Sequence, residues 1–266
     1  MFRFPEPLKQ GRIVSRPNRF IMNIRVGNRT LRCHCPTTGR LGDLKLSGLP
    51  CLYSTSKSKS RKTAHTVEAI ATSPSGGQWV GINQTAANRY FEFFLRAGVL
   101  QRLATGKVQR EVRLGRSRID FLVGNAYVEV KTPLIMLPAS GAVERVHRSR
   151  FDSFDRLIKH MGELKSSVAT GKGAKIVLCY LYDAEPFVPP APDRTNSRIL
   201  EAARAAEEGG VERWQVNLRV TEAGVSLIRY FKSRPYAPGR EARLPATPTP
   251  SRGLRTPLRY HGPGSP

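Results

Sequence analysis

The sequence of 266 residues predicts an α/β fold, α+β overall, in which a small N-terminal β-barrel precedes an α/β domain with a mixed central sheet. Three observations predict it. Up to about residue 82 the apolar segments are short, strand-like and punctuated by glycine. From about residue 83 helical spacing alternates with strand patterns. Beyond residue 232 the apolar pattern stops: residues 234–266 hold eight prolines and six arginines, which reads as a disordered Pro/Arg-rich tail. The expected organisation is therefore 1–82, 83–232 and 233–266.

In the first segment "RFIMNIRV", "RTLRCHC" and "CLYSTS" are strand-like, and Gly27, Gly39, Gly42, Gly48, Gly76 and Gly77 separate them. No convincing helix lies there. Many short strands with a heavy positive charge suit a barrel of the OB type that binds nucleic acid. In the second segment "TAANRYFEFFLRAGVL" predicts a helix capped by Thr85 and stopped at Gly98, with Tyr90, Phe93, Phe94 and Leu95 in the core. "VQREVRL" predicts a strand and "SRIDFLVGNAYVEVK" a hairpin. "SRFDSFDRLIKHMGELKSSVATG" carries Phe151, Phe154, Leu157, Ile158, Met161 and Leu164 at helical spacing. "AKIVLCYLY" is a continuous apolar run, the mark of a strand covered on both faces. "SRILEAARAAEEGG" predicts a helix with a glycine stop, and "ERWQVNLRVTEAGVSLIRYF" one or two last strands.

The charge points to the partner. The chain has 44 Lys+Arg against 20 Asp+Glu, a net charge of +24, and residues 1–80 alone hold 14 basic and 3 acidic residues. Such an excess attracts polyanions, nucleic acid above all. The densest knot, "KSKSRK", nominates Lys57, Lys59, Arg61 and Lys62 as backbone contacts. No apolar run approaches a bilayer span and no leader precedes the arginines, so a non-membrane, cytoplasmic protein is expected. Cys33, His34 and Cys35 with Cys51 and His65 invite a zinc reading. The absence of a second C-x₂-C pair favours small apolar residues in strands instead.

Chemistry concentrates in the hairpin. In "SRIDFLV" Ile119, Phe121 and Val123 point one way and Arg118 and Asp120 the other. In "AYVEVK" Val128 and Val130 oppose Tyr127, Glu129 and Lys131. Gly124–Asn125 is the strongest short signal for a tight turn. Two carboxylates, Asp120 and Glu129, converging near Lys131 suit a hard divalent cation such as Mg²⁺, with Mn²⁺ as a substitute and the Val130 backbone carbonyl as a further ligand. Glu111, on the preceding strand, is expected to complete the acid set. Lys131 would orient water or stabilise developing charge. Arg116 and Arg118 flank the acid strand where a scissile phosphate would pass. A solvated cross-strand pair would also produce Glu-x-Lys. The short hairpin, the preceding helix and the strong basicity together favour a restriction-endonuclease-like PD-(D/E)xK domain.

Several separate blocks resemble one family in order: "RFIMNI" with "CHCPTTGR", "RKTAHTVEAI", "WVGIN" with "ANR", "EVRLGRSRIDF", "YVEVKTP", "DAEPFVPP" and "AAEEGGVE". Over roughly residues 5–230 the chain resembles the sugar fermentation stimulation protein A (SfsA) family. The resemblance implies an OB-like barrel followed by a PD-(D/E)xK nuclease domain, DNA binding, and Mg²⁺-dependent cleavage. It places the family's acids and lysine on Glu111, Asp120, Glu129 and Lys131, and carries a further association with sugar metabolism. Two departures stand out. Thr37 replaces the Asn of a Pro-Asn-Thr-Gly run, and Ser153-Phe154-Asp155 replaces an expected Thr-Glu stretch before Arg156, Lys159 and His160.

The expected activity is hydrolysis of phosphodiester bonds in DNA, with RNA as a second candidate and little sequence specificity. The competing readings are a binding or regulatory protein that no longer cuts, and RNA association driven by charge alone. The sequence leaves a homodimer open. No Walker motif or dinucleotide fingerprint is present.

Overall fold

The computed structural model describes residues 1–37, 41, 45–58, 60–134, 137 and 155–235. Lys59, Ser153, Phe154 and all but the first three residues of the expected tail lie outside them.

Short, glycine-punctuated strands build the N-terminal part. β2 (Lys9–Asn18), β3 (Ile21–Val26), β4 (Arg29–His34), β5 (Pro50–Thr55), β6 (His65–Ser73) and β7 (Gly76–Gly81) follow β1 (Phe2–Arg3). The sheet order β4-β3-β2-β5-β6-β7, with β4 also pairing β6 in parallel at Cys33–His65 and His34–Thr66, closes five strands into a barrel. Closure removes the free edge that an open sheet of this size would expose. Its interior holds Ile13, Met22, Ile24, Cys33, Cys51 and Val67. All four cysteines are free and buried. Burial pushes the Cys33, Cys51 and Cys179 thiols up to about 12, so they act as small apolar side chains.

The second part is a seven-stranded mixed sheet, β1-β13-β12-β11-β10-β9-β8. Its strands are β8 (Val108–Leu114), β9 (Ser117–Val123), β10 (Ala126–Lys131), β11 (Gly173–Tyr180), β12 (Glu212–Val220) and β13 (Gly224–Lys232). β10, β11 and β12 run parallel, while β8, β9 and β13 are antiparallel to their neighbours. Helix α1 (Gln84–Arg96) serves one core, and α2 (Asp155–Ala169) with α3 (Ser197–Glu208) the other. Tyr90, Phe91 and Phe94 are almost fully buried in the α1 core, each worth about 1.5–3 kcal/mol. Phe93 is only partly buried. The cap of α1 is Asn83, not Thr85: Asn83 Oδ1 accepts the Ala86 N–H at 3.1 Å. β11 lies between two parallel neighbours, which accounts for its unbroken apolar run.

The two parts share surfaces. β1 pairs with β13, placing Phe2 opposite Val225. Tyr180, Tyr182 and Ala184, from the end of β11 onward, join the barrel core. Gly81 donates its N–H to Leu181 O at 2.9 Å. A Cβ on Gly81 would sit 2.5 Å from Leu181 Cβ and 3.0 Å from Leu181 O, so only glycine lets the strands approach there. No helix among the described residues is long and apolar enough to cross a membrane.

Candidate active site

The hairpin β9–β10 turns at Gly124, whose φ is 56°, and pairs Val123 with Ala126, Leu122 with Tyr127, and Phe121 with Val128. The ladder stops there. The next facing pair would be Asp120 and Glu129, and at that point carboxylates replace backbone carbonyls as acceptors. Val130 N–H donates to Asp120 Oδ2 at 2.8 Å, and Asp120 N–H approaches Glu129 Oε2 at 3.4 Å. On the other side of β9, the β8 partner of Asp120 would be Glu111, which adopts φ 53° and drops out of register. A non-glycine residue in that region is strained. The regular alternation of β9 breaks at the same place: Phe121 and Val123 pack in the α1 core, whereas Ile119 packs with α2 and α3. The three do not share one core, as alternation alone had implied.

Each carboxylate is held by a different helix. Asn88 on α1 donates through Nδ2 to Asp120 Oδ1 at 2.7 Å. His160 on α2 donates from Nδ1 to Glu129 Oε1 at 2.6 Å, and Lys131 Nζ reaches the same oxygen at 2.6 Å. Glu129 is only 2% exposed and His160 3%. Burial and the negative charge of Glu129 raise the Asp120 carboxyl above its ordinary range, against the Val130 N–H, the Lys131 charge and the Asn88 amide. The close carboxylate of Glu129 thus opposes ionisation of Asp120.

The structure brings Asp120, Glu129, Val130 and Lys131 together. Glu111 is exposed, and its partner is Arg118, at 3.4 Å. Among the described residues no three His, Cys, Asp or Glu side chains gather in a group suited to a metal, so the acids number two rather than three. Arg116 and Arg118 are both exposed at the start of β9. In the barrel's basic loop Lys57 pairs with Glu6 at 2.8 Å, Arg61 donates to Thr66 Oγ1 at 3.0 Å, and Lys62 is exposed.

Sequence reasoning missed Asn88 and His160 as parts of this cluster. His160 lies on the apolar stripe Leu157, Met161, Leu164 of α2, where a lone polar residue signals a buried partner. Asn88 is one turn beyond Gln84 on α1, so both amides share a face. Gln84 Nε2 donates to Thr132 O at 2.6 Å, just past Lys131, and Gln84 Oε1 accepts from Thr37 Oγ1 at 2.8 Å. Thr37 thereby ties the barrel to the end of β10.

Residues 14–82 match the SfsA N-terminal OB domain, and residues 85–224 match the sugar fermentation stimulation protein RE domain. The sugar fermentation stimulation protein homolog of Alcanivorax borkumensis is 31% identical over 218 residues, covering 79% of this chain and 90% of that protein. The homolog of Methylobacterium radiotolerans is 35% identical over 213 residues, 77% and 88% of the two chains. The fold is similar to that of Pyrococcus furiosus SfsA, solved in complex with Ca²⁺, with a TM-score of 0.70 at 23% identity over 88% of this chain and 99% of that one. The chain belongs to the sugar fermentation stimulation protein family.

Proposed function

We propose that this protein is a divalent-cation-dependent nuclease that hydrolyses phosphodiester bonds of DNA, and of RNA as a second substrate, with little sequence specificity. One observation carries the reading: Asp120 and Glu129 meet where the β9–β10 ladder ends, with Asp120 raised by burial and by Glu129's charge. A protein that only binds phosphates gains nothing from two inward carboxylates, which repel its ligand unless a cation intervenes.

The donor set fits such a cation. Both acids offer hard oxygens, and each Asp120 oxygen accepts one hydrogen bond, from Asn88 or from Val130, while retaining lone-pair capacity. Asp120, Glu129 and the Val130 carbonyl would hold Mg²⁺, with Mn²⁺ as a substitute. The Ca²⁺ bound by the Pyrococcus protein supports a divalent ion in this family. A bound divalent ion supplies Lewis acidity toward a phosphoryl oxygen and lowers the pKa of a coordinated water.

The chain's own residues do the rest. His160 fixes the orientation of Glu129, and Asn88 that of Asp120. Lys131 brings a positive charge to the edge of the pair, where it offsets charge building on a phosphate. Division of labour follows the two sheets: residues 1–82, with the basic loop around Lys57, Lys59, Arg61 and Lys62, bind the backbone without reading bases. Residues 83–232 carry the chemistry, with Arg116 and Arg118 flanking the strand.

The test is cleavage of plasmid and single-stranded substrates by purified protein with and without Mg²⁺ or Mn²⁺. Metal-dependent cleavage that Asp120→Asn abolishes is expected. Equal cleavage by wild type and variant, or none by either, leaves a basic protein that binds nucleic acid without cutting it.

A further inference from the structure

Between the start of β9 and the first turns of α2 lies a cavity of about 380 Å³. Four cationic side chains line it: Arg116, Arg118, Arg156 and Lys159. The one carboxylate in the wall, Asp155, lies 3.6 Å from Arg198. Arg156 has no hydrogen-bond or ion-pair partner among the described residues. Lys159 donates to Arg116 O at 3.0 Å, which leaves further ammonium hydrogens to offer. The most telling group is Ser117. It is 7% exposed, lines the cavity, and its hydroxyl has no hydrogen-bond partner among the described residues. Buried hydroxyls are normally paired; this one is closed off from solvent within the cavity wall, so an acceptor entering beside the four cations reaches it only if the wall gives way slightly.

His160 joins this cavity to the acid pair, since its ring lines the cavity while Nδ1 holds Glu129. Ser117 precedes Asp120 by three residues on β9, about 10 Å along the strand. That span equals the rise of about three stacked nucleotides in one strand. No Phe, Tyr or Trp lines the cavity, and its wall is mostly cationic, which favours a phosphate over a base.

We propose that this cavity is a phosphate-binding subsite for a nucleic-acid strand, separate from the acid pair. It holds one phosphate at a fixed distance from Asp120 and so sets where along the strand the cut falls. The register role rests on the nuclease reading, whereas the binding role does not. The phosphate comes either from a strand end, as a monoester, or from the interior, as a diester; both present the same acceptor oxygens to the same donors.

The test is an anisotropy titration in EDTA with three labelled oligonucleotides, one 5′-phosphorylated, one 3′-phosphorylated and one with hydroxyls at both ends. Variants Arg156→Gln, Lys159→Gln and Ser117→Ala are compared with Arg204→Gln, which removes a charge on α3 away from the cavity lining. Thermal melts confirm folding, and Arg156→Gln guards against loss of the Lys159–Arg116 tie. Arg156→Gln and Lys159→Gln are expected to weaken binding about tenfold, Ser117→Ala by less, and Arg204→Gln by under about twofold. Loss confined to a phosphorylated end supports the subsite with a terminal phosphate, and loss with all three supports it with an internal one. Affinities of Arg156→Gln and Lys159→Gln equal to that of Arg204→Gln overturn it. Failure of the wild type to cleave, with these binding losses intact, removes the nuclease reading and leaves the subsite standing.

Discussion

Two buried glutamates, one in the barrel and one in the mixed sheet, show how surroundings decide what a carboxylate is for. Glu68 on β6 is 7% exposed and accepts from Ser54 Oγ and from Asn83 Nδ2, both at 2.6 Å. Both donors are neutral and each serves a different oxygen. The result is a fixed joint between the barrel and the cap of α1. Glu129 is buried as deeply, yet its partners are Lys131 and His160, with a second carboxylate beside it. A carboxylate satisfied by neutral donors fixes geometry; one that shares its site with another acid carries charge that its surroundings must offset. The lesson is to read a buried acid by the charge of its neighbours rather than by its burial.

The largest expected effect tests the sheet side of this contrast. Asp120→Asn should reduce metal-dependent cleavage by about 10²–10³-fold while leaving the melting temperature unchanged or raised, because the repulsion between Asp120 and Glu129 is removed. The raised Asp120 pKa fixes the sign of the pH dependence. Ionised Asp120 costs stability in the fold, so its relative contribution is fully present below the ordinary aspartate range and is lost as pH rises through the raised value. The advantage of the Asn variant should therefore be larger at neutral pH than in acid, as thermal melts across pH would record. A variant that melts lower than wild type at neutral pH would sink the coupled-acid account.

Next comes the barrel side. Glu68→Ala strands the Ser54 hydroxyl and the Asn83 amide, and should cost about 1–3 kcal/mol in urea unfolding. Cleavage per folded molecule should be unchanged. A loss of cleavage without a loss of stability would erase the distinction between the two glutamates.

Much of this was legible in the sequence where the signal is local. Val108–Leu114 coincides with β8, the Gly124–Asn125 turn with the tip of the hairpin, and the glycine stop of α3 with Gly209. What escaped is non-local. Closure of the barrel needs β4 beside β6, and the pairing of β1 with β13 joins the two ends of the described chain. Neither leaves a periodic trace. The candidate site shows the same split. Asp120, Glu129 and Lys131 follow from strand alternation, whereas Asn88 and His160 reach them from helices distant in sequence. Glu111 is expected at that edge from its place on the preceding strand and from the family resemblance, and its positive φ is a local break in β8 that strand alternation does not foresee.

A smaller effect probes the far side of the sheet, where no second acid intrudes. Burial works against ionisation of Glu212, but hydrogen bonds from Lys175, Lys232 and the Trp214 indole bring its carboxyl down to about 2. A depressed pKa contributes stability that is present above the ordinary glutamate range and lost as pH falls toward that value. Glu212→Gln should lower stability by about 1 kcal/mol at neutral pH, after solvent screening at this partly exposed position. It should also flatten the acid limb of the melting profile between about pH 4.5 and pH 2. An acid limb identical to that of wild type would show that the two lysines contribute nothing net.

The smallest expected effect concerns Thr37, where the barrel touches the site. It is 1% exposed, and its hydroxyl begins the chain of hydrogen bonds through Gln84 to Thr132 O. Asn is similar in volume to Thr and also carries a donor for Gln84 Oε1. Thr37→Asn should therefore change stability by less than about 0.5 kcal/mol and leave cleavage intact. Thr37→Val keeps the shape but removes the donor, leaving Gln84 Oε1 without it, so about 1 kcal/mol is expected there. If Thr37→Val lowered the cleavage rate as well as stability, the link would carry more than mechanical support. The barrel would then help to place the end of β10, and with it Lys131, against Glu129.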